Sequence, residues 1–107
     1  MLEALMKVVF FPKTSDSCKE WPGYDAQRTL MPAFNLGGEL FSGMITSDEK
    51  MYYWNTEYLT FVSFFTIDNH EVYSKVEHSL SIGKTYHIQI ASKIIGKATL
   101  KIKISIQ

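Results

Sequence analysis

The feature that most constrains the fold of this chain is a strict two-residue alternation near its C-terminal end. In residues 97–106, apolar side chains stand at every second position, and lysine, threonine or serine stands between them. A period of two is typical of a β-strand with one buried and one exposed face. Residues 85–90 alternate in the same way, and the link of residues 91–96 ends in glycine. We therefore predict an antiparallel hairpin with its apolar side chains buried.

Three further apolar stretches predict strands. They span residues 3–11, 39–46 and 58–67, and each is rich in the β-branched and aromatic residues that favour strands. At the start of the first stretch a short helix is the competing interpretation, because leucine, alanine, methionine, glutamate and lysine favour helices. Residues 72–78 alternate weakly and fit either a short strand or irregular structure.

The stretch of residues 12–36 contains all three prolines of the chain. Proline and glycine interrupt regular structure, so we predict a long irregular loop after the first strand. Short strands separated by turns are typical of sandwiches and barrels. We therefore predict an all-β fold: a small antiparallel β-barrel of about six strands, forming a single domain over residues 1–107.

Composition narrows the classes of function. The chain of 107 residues has no net charge and a single cysteine, so we expect no internal disulfide. It has no apolar run of membrane-spanning length and no good signal peptide, so we expect a cytoplasmic protein without membrane partners. The charge is uneven, however, because residues 84–107 carry five lysines and no acid. A general binder of phosphate backbones usually has an overall basic excess, which this chain lacks.

The order of features resembles the C-terminal (third) β-barrel domain of elongation factor Tu. The resemblance lies in the Gly23-Tyr24 pair, a Leu-x-x-Gly turn at residues 80–83, and Ile-Gly-Lys-Ala at residues 95–98. It implies a barrel that binds macromolecules, and an RNA-binding module that contacts transfer RNA. The family's pair is followed by Arg-Pro-Gln, whereas residues 25–27 here are Asp-Ala-Gln. No Gly-rich phosphate loop is present in the sequence.

The sequence does not place a catalytic set together. The three histidines, His70, His78 and His87, have no acid or cysteine at metal-ligand spacing, and Cys18 lies in a polar stretch beside Lys19. Ordinary surface roles explain these residues and the carboxylates of the turns. We therefore predict a protein that is not an enzyme and that uses no cofactor, metal or small-molecule substrate.

Two sets of residues are candidates for binding a macromolecule. Tyrosine and tryptophan are enriched in protein-binding hot spots, although they also fill cores, and acids beside them suit a basic partner. Lysines on one strand face suit phosphates or an acidic partner, although they also keep strands soluble. The candidates for contact with a protein partner are Trp21, Tyr24, Asp48, Glu49, Tyr52, Tyr53, Trp54 and Glu57, and those for nucleic acid or an acidic partner are Lys97, Lys101 and Lys103.

These candidates support two hypotheses of different class. The first is a non-enzymatic barrel that docks a protein partner, such as an inhibitor or immunity protein that neutralises a basic toxin. The second is the RNA-binding module that the elongation factor resemblance implies. The zero net charge favours the first.

Overall fold

The computed structural model of the chain describes residues 1–12, 22–25 and 31–104. Trp21 and Cys18, which were singled out from the sequence, lie outside the described residues. The described residues form nine strands and one α-helix, which we number in chain order. The strands are β1 (Leu2–Phe10), β2 (Gly23–Asp25), β3 (Ala33–Leu36), β4 (Glu39–Ser42), β5 (Met44–Thr46), β6 (Met51–Tyr53), β7 (Glu57–Phe64), β8 (Thr85–Ile90) and β9 (Lys93–Ile104). The helix is α1 (His70–Val76), and a 3-10 turn follows it at Glu77–Ser79.

Seven strands form one antiparallel sheet in the order β4-β3-β8-β9-β1-β7-β5, and β2 pairs with β6 in a separate two-stranded sheet. The large sheet curls into a half-barrel, so that a single residue, Gly43, separates the two edge strands β4 and β5 in the chain. The backbone N–H of Gly43 donates to the carbonyl of Pro32 at 3.0 Å. A Cβ at Gly43 would lie 2.7 Å from both Phe34 and Val62, so only glycine fits here. The predicted small antiparallel all-β fold is confirmed.

Strand β1 lies near the middle of the sheet and pairs with β7 on one side and β9 on the other. Its burial alternates without a break along all nine residues, with the even-numbered side chains buried and the odd-numbered ones half-buried. The inner face therefore contributes Leu2, Ala4, Met6, Val8 and Phe10 to the core. The strand interpretation of this segment is confirmed, because the alternation, rather than local helix propensity, decides which residues are buried.

The predicted hairpin of β8 and β9 is present, with a shorter turn than the sequence indicated. Only Ala91 and Ser92 link the strands, since Ile90 already pairs with Lys93. Ala91 takes the left-handed conformation at φ 53°, which is a feature of tight hairpin turns. The prediction of a six-residue link over residues 91–96 is therefore wrong, because β9 begins at the third residue of that stretch.

Strand β9 contains a β-bulge where it pairs with β1. Leu5 lies opposite Ile102 and Met6 lies opposite Leu100, which leaves Lys101 as an extra residue. An extra residue moves the side chains beyond it to the other face of the sheet. Leu100 is buried, whereas Ile102 is 52% exposed. The predicted alternation of buried apolar residues therefore holds as far as Leu100 and is wrong at Ile102.

The segment predicted as a short strand or irregular structure at residues 72–78 is mostly the helix α1, so that interpretation is wrong. Asn69 is its N-cap and accepts a hydrogen bond from the backbone N–H of Val72 at 2.9 Å. This bond satisfies a donor that the first turn leaves without an intrahelical partner. Val76 is buried against the core. Within the described part of the chain, no helix is long and apolar enough to cross a membrane.

Two short strands, β2 and β3, lie inside the range that the sequence predicted as one long loop. β3 pairs with both β4 and β8 and so belongs to the main sheet. The loop prediction for residues 12–36 is therefore wrong at these two places. Strands of three and four residues carry too little alternation to be recognised beside prolines.

Candidate protein-docking surface

Five aromatic rings make successive contacts at one end of the half-barrel. The distances between ring centres are 4.9 Å from Trp54 to Tyr24, 5.2 Å from Tyr24 to Phe10, 5.4 Å from Phe10 to Tyr52, and 5.1 Å from Tyr52 to Tyr58. Three of the four contacts are nearly perpendicular, which is a favourable arrangement for aromatic rings. We call these five residues the aromatic platform.

The pairing of β2 with β6 holds the platform in place. Gly23 lies opposite Tyr53 in this pair. A Cβ at Gly23 would lie only 2.0 Å from the backbone oxygen of Tyr52, so the two backbones approach closely only because residue 23 is glycine. The backbone N–H of Trp54 donates to the carbonyl of Pro22 at 3.1 Å and extends the connection. The chain on both sides of Tyr53 is therefore fixed.

Tyr52 belongs to the core, since its side chain is only 2% exposed. Its hydroxyl forms a hydrogen bond with the hydroxyl of Ser47. Burial raises the pKa of Tyr52 above its usual value because it disfavours the phenolate, while the bond to Ser47 acts in the opposite direction. The prediction that Tyr52 contacts a partner is wrong, because its ring is enclosed by other rings of the platform.

The other aromatic side chains in this region differ in their exposure to solvent. Tyr24, Trp54 and Tyr58 are half-buried and pack against the core. Tyr53 is 52% exposed, the most of any tyrosine or tryptophan in the described residues. Its backbone N–H donates to the hydroxyl of Tyr58 at 2.9 Å. The Tyr53 side chain therefore projects from a backbone that is already ordered.

The carboxylates predicted to flank the aromatic residues lie in the same stretch of the chain as Tyr52, Tyr53 and Trp54. Asp48 and Glu49 are exposed in the link from β5 to β6, and Glu57 is exposed at the start of β7. Residues 47–58 carry these three acids and one base, Lys50. Glu57 forms an ion pair with Lys7 at 3.5 Å. Neither Asp48 nor Glu49 forms an ion pair with any described residue. We call Tyr53, Asp48 and Glu49 the acidic tyrosine site.

The three lysines of the predicted basic stripe are not on one face. Lys97 lies opposite Val9, on the outer face of the sheet. Lys103 lies opposite Ala4, which belongs to the inner face, and Lys101 is the extra residue of the bulge. The prediction that Lys97, Lys101 and Lys103 share one exposed face is therefore wrong, because the bulge changes the face of the residues that follow it.

Lys103 contacts the helix rather than a sheet neighbour. Its Nζ lies 5.5 Å from the centre of the Tyr73 ring in α1. A hydrogen bond with the Tyr73 side chain raises the pKa of Lys103, against a small opposing effect of burial. The ammonium group therefore stabilises the packing of α1 over the end of the sheet, a role that the sequence alternation did not indicate.

The structure also exposes apolar side chains that the sequence did not single out. Leu59 on β7 is 59% exposed, Phe61 on the same strand is 52% exposed, and both lie on the outer face beside Ile102 and half-buried Leu5. We call these four residues the outer patch. The signal for it was present in the sequence, because β7 has large apolar residues at odd and even positions alike. The seven-residue helix α1 is too short to cover both faces of the sheet, and the edge strand β5 lies beside β7 rather than over it.

An apolar cavity of about 200 Å³ lies beside the platform. It is lined by Phe11, Tyr24 and the hairpin residues Ile90 and Ile94, with Lys93 at its wall. Ile90 and Ile94 are both about half exposed. The cavity places an apolar recess next to the half-buried Tyr24 ring.

No group of three or more histidine, cysteine, aspartate or glutamate side chains in the described residues is placed to hold a metal ion. His70, His78 and His87 are all exposed and lie in α1, the 3-10 turn and β8, which are separate elements.

Comparison of the chain with models of known protein families and with curated proteins gave no match. The resemblance to the third domain of elongation factor Tu is therefore still a prediction from the quoted motifs.

Proposed function

We propose that this protein is a non-enzymatic binding protein that docks a basic protein partner through the acidic tyrosine site. The observation that carries the proposal is the half-exposed ring of Tyr53 on an ordered backbone. Tyrosine is enriched among the residues that dominate binding energy at protein surfaces.

The packing beneath Tyr53 supports this role. The aromatic platform and the β2–β6 pair order the backbone on both sides of the ring. A group that is ordered before binding loses less conformational freedom on binding. Tyr53 therefore has the properties of a rigid anchor.

The local charge supports a basic partner. Asp48 and Glu49 are exposed and form no ion pair with described residues, so their negative charge is directed to solvent. Complementary charge increases association rates and suppresses wrong partners. An inhibitor or immunity protein that neutralises a basic toxin in the cytoplasm is the specific form of this function that we propose.

An RNA-binding module is the alternative that the family resemblance implies. Binding of a phosphate backbone needs several cations along one surface. Lys97 and Lys103 are on opposite faces of β9, so they do not form such a surface together. We therefore rank the protein partner first.

The test is affinity capture from the cells that produce this protein, with and without nuclease and at low and high salt. We compare the wild-type protein with Tyr53→Ser and with the double variant Asp48→Asn/Glu49→Gln. Ile82→Ser is the matched control, because Ile82 is 73% exposed and lies in the turn before β8. We expect the wild type and the control to capture one basic protein in stoichiometric amount. Tyr53→Ser should capture at least ten-fold less of it. Capture by the double variant should no longer depend on salt concentration.

Equal capture by Tyr53→Ser and the wild type contradicts the proposal. Recovery of nucleic acid instead of protein, only at low salt and without nuclease, favours the RNA alternative. Once a partner is captured, its activity is measured with and without the wild-type protein, and an unchanged activity excludes the inhibitor form of the function.

A further inference from the structure

The outer patch has a charge arrangement that fits a second copy of itself. We propose that this face of the sheet mediates a two-fold homodimer, in which the β1 strands of two copies cross in opposite directions. This inference uses a surface separate from the acidic tyrosine site and does not depend on the proposed function.

The patch is contiguous across three strands. Leu5 lies directly opposite Phe61 on β7 and opposite Ile102 on β9. Side chains opposite one another in adjacent strands have Cβ atoms roughly 5 Å apart. Leu59 lies two residues before Phe61 on the same face. An apolar row from Ile102 through Leu5 to Phe61 therefore crosses the outer face, and the β9 bulge is what adds Ile102 to it.

The charges on either side of this row are opposite in sign. Glu3 lies two residues before Leu5 on the outer face of β1, and Lys7, which forms an ion pair with Glu57 of the same chain at 3.5 Å, lies two residues after it. Each is displaced from the row by roughly 7 Å along the strand. A two-fold axis through the apolar centre brings each charge of one copy opposite the charge of other sign in the second copy, so the surface is complementary to itself.

The position of the axis follows from this arrangement. If the axis runs along the apolar row, the row of one copy packs on the same row of the other, with Leu5 near the centre. The two β1 strands then run antiparallel across the contact, and Glu3 of each copy faces Lys7 of the other. Face-to-face packing of sheets with strands nearly aligned is a common arrangement.

The size of the patch predicts a reversible dimer. A stable standard-size complex buries about 800 Å² on each partner. The row covers three strands, roughly 10 Å across, and the span from Glu3 to Lys7 is roughly 13 Å, so the apolar part is well below that area. We therefore expect the monomer to dominate on dilution and the dimer to appear as concentration rises.

The experiment is sedimentation equilibrium of the full chain over a concentration series at low salt. We expect the average mass of the wild type to rise from that of the monomer toward twice that value. Phe61→Thr removes the ring but keeps a residue that favours strands, and we expect at least a ten-fold weaker association. Ile82→Thr is the control, because Ile82 is an apolar side chain outside the patch that is more exposed than Phe61 (73% against 52%), and we expect it to associate like the wild type.

A charge exchange tests the geometry of the contact. Glu3→Lys and Lys7→Glu each place like charges opposite one another across the proposed contact, and we expect each to weaken association. The triple variant Glu3→Lys/Lys7→Glu/Glu57→Lys restores opposite charges both across the contact and within the ion pair of residues 7 and 57, so we expect it to recover most of the wild-type association. A wild type that is monomeric at the highest concentration overturns the proposal, and so does an equal loss in Ile82→Thr. A triple variant no stronger than the single ones overturns the antiparallel arrangement.

Discussion

Large aromatic side chains are buried in one region of this molecule and exposed in another. In the aromatic platform the rings pack against each other at the end of the half-barrel, and Tyr52 is 2% exposed. On the outer patch Phe61 has a ring of similar size and is 52% exposed. The difference is made by what covers each region. The β2–β6 pair is connected to the platform by backbone hydrogen bonds, whereas no described element packs over the outer face of β7. A ring therefore contributes to stability in the first region and is available for binding in the second.

The largest expected effect comes from removing a ring of the platform. Tyr52→Ala deletes a buried ring that contacts Phe10 and Tyr58, and it removes the hydroxyl that is hydrogen-bonded to Ser47. Replacing a buried aromatic residue by alanine costs about 3–5 kcal/mol, because the surroundings relax only partly. We expect a loss of this size in the free energy of unfolding, measured by urea denaturation. A loss of only about 0.5 kcal/mol, the usual size for surface substitutions, would mean that the platform is not part of the core.

The hydroxyl of Tyr52 is expected to contribute less to stability than its ring, and its contribution depends on pH. Tyr52→Phe keeps the ring and removes the bond to Ser47, so we expect a loss of about 1 kcal/mol near neutral pH. The pKa of Tyr52 is raised by burial in the folded protein, and it is about 10 in the unfolded chain. The unfolded state therefore releases the proton first, and the wild type loses stability as the pH rises from about 10 through the raised pKa of the folded state.

The measurement is the difference in free energy of unfolding between the wild type and Tyr52→Phe, taken at several pH values from neutral to about 11. All other groups are the same in both proteins, so their contributions cancel in the difference. We expect the stability advantage of the wild type to shrink as the pH rises above about 10. A difference that is constant with pH contradicts the assignment of the raised pKa to Tyr52.

The sequence predicted the parts of the fold that have a strong strand preference or a long alternation. Strand β1 was recognised from its β-branched and aromatic residues, and the β8–β9 hairpin from the alternation of residues 85–90 and 97–106. The departures come from single residues whose effect depends on a neighbouring strand. Lys101 looks like any other exposed residue in the alternation, yet as a bulge it turns Ile102 outward and separates Lys97 from Lys103. Helix α1 was missed because its seven residues carry no more than two turns of periodicity.

The candidate site could be predicted only as a stretch of chain. The aromatic residues of β6 and the nearby acids are close in the sequence, so they were expected to lie in one region, and this stays a prediction. Which of the rings is buried depends on Phe10 and Tyr24, which come from distant segments and form the other side of the platform. Neighbouring tyrosines 52 and 53 differ in exposure because consecutive residues of a strand face opposite sides, and composition alone cannot assign the sides.

The smallest expected effect is that of Phe61→Thr on the stability of the monomer. Its loss in the free energy of unfolding is to be compared with that of Tyr52→Ala. Phe61 lies on the outer face, and threonine keeps the preference for a strand. Surface substitutions of this kind change the free energy of unfolding by no more than about 0.5 kcal/mol. The measurement is urea denaturation at a protein concentration where sedimentation shows only monomer, so that any dimer does not add to stability. A loss as large as that of Tyr52→Ala would mean that the outer face is packed within one chain. An unchanged stability together with weakened association would instead assign the exposed ring to contact between molecules.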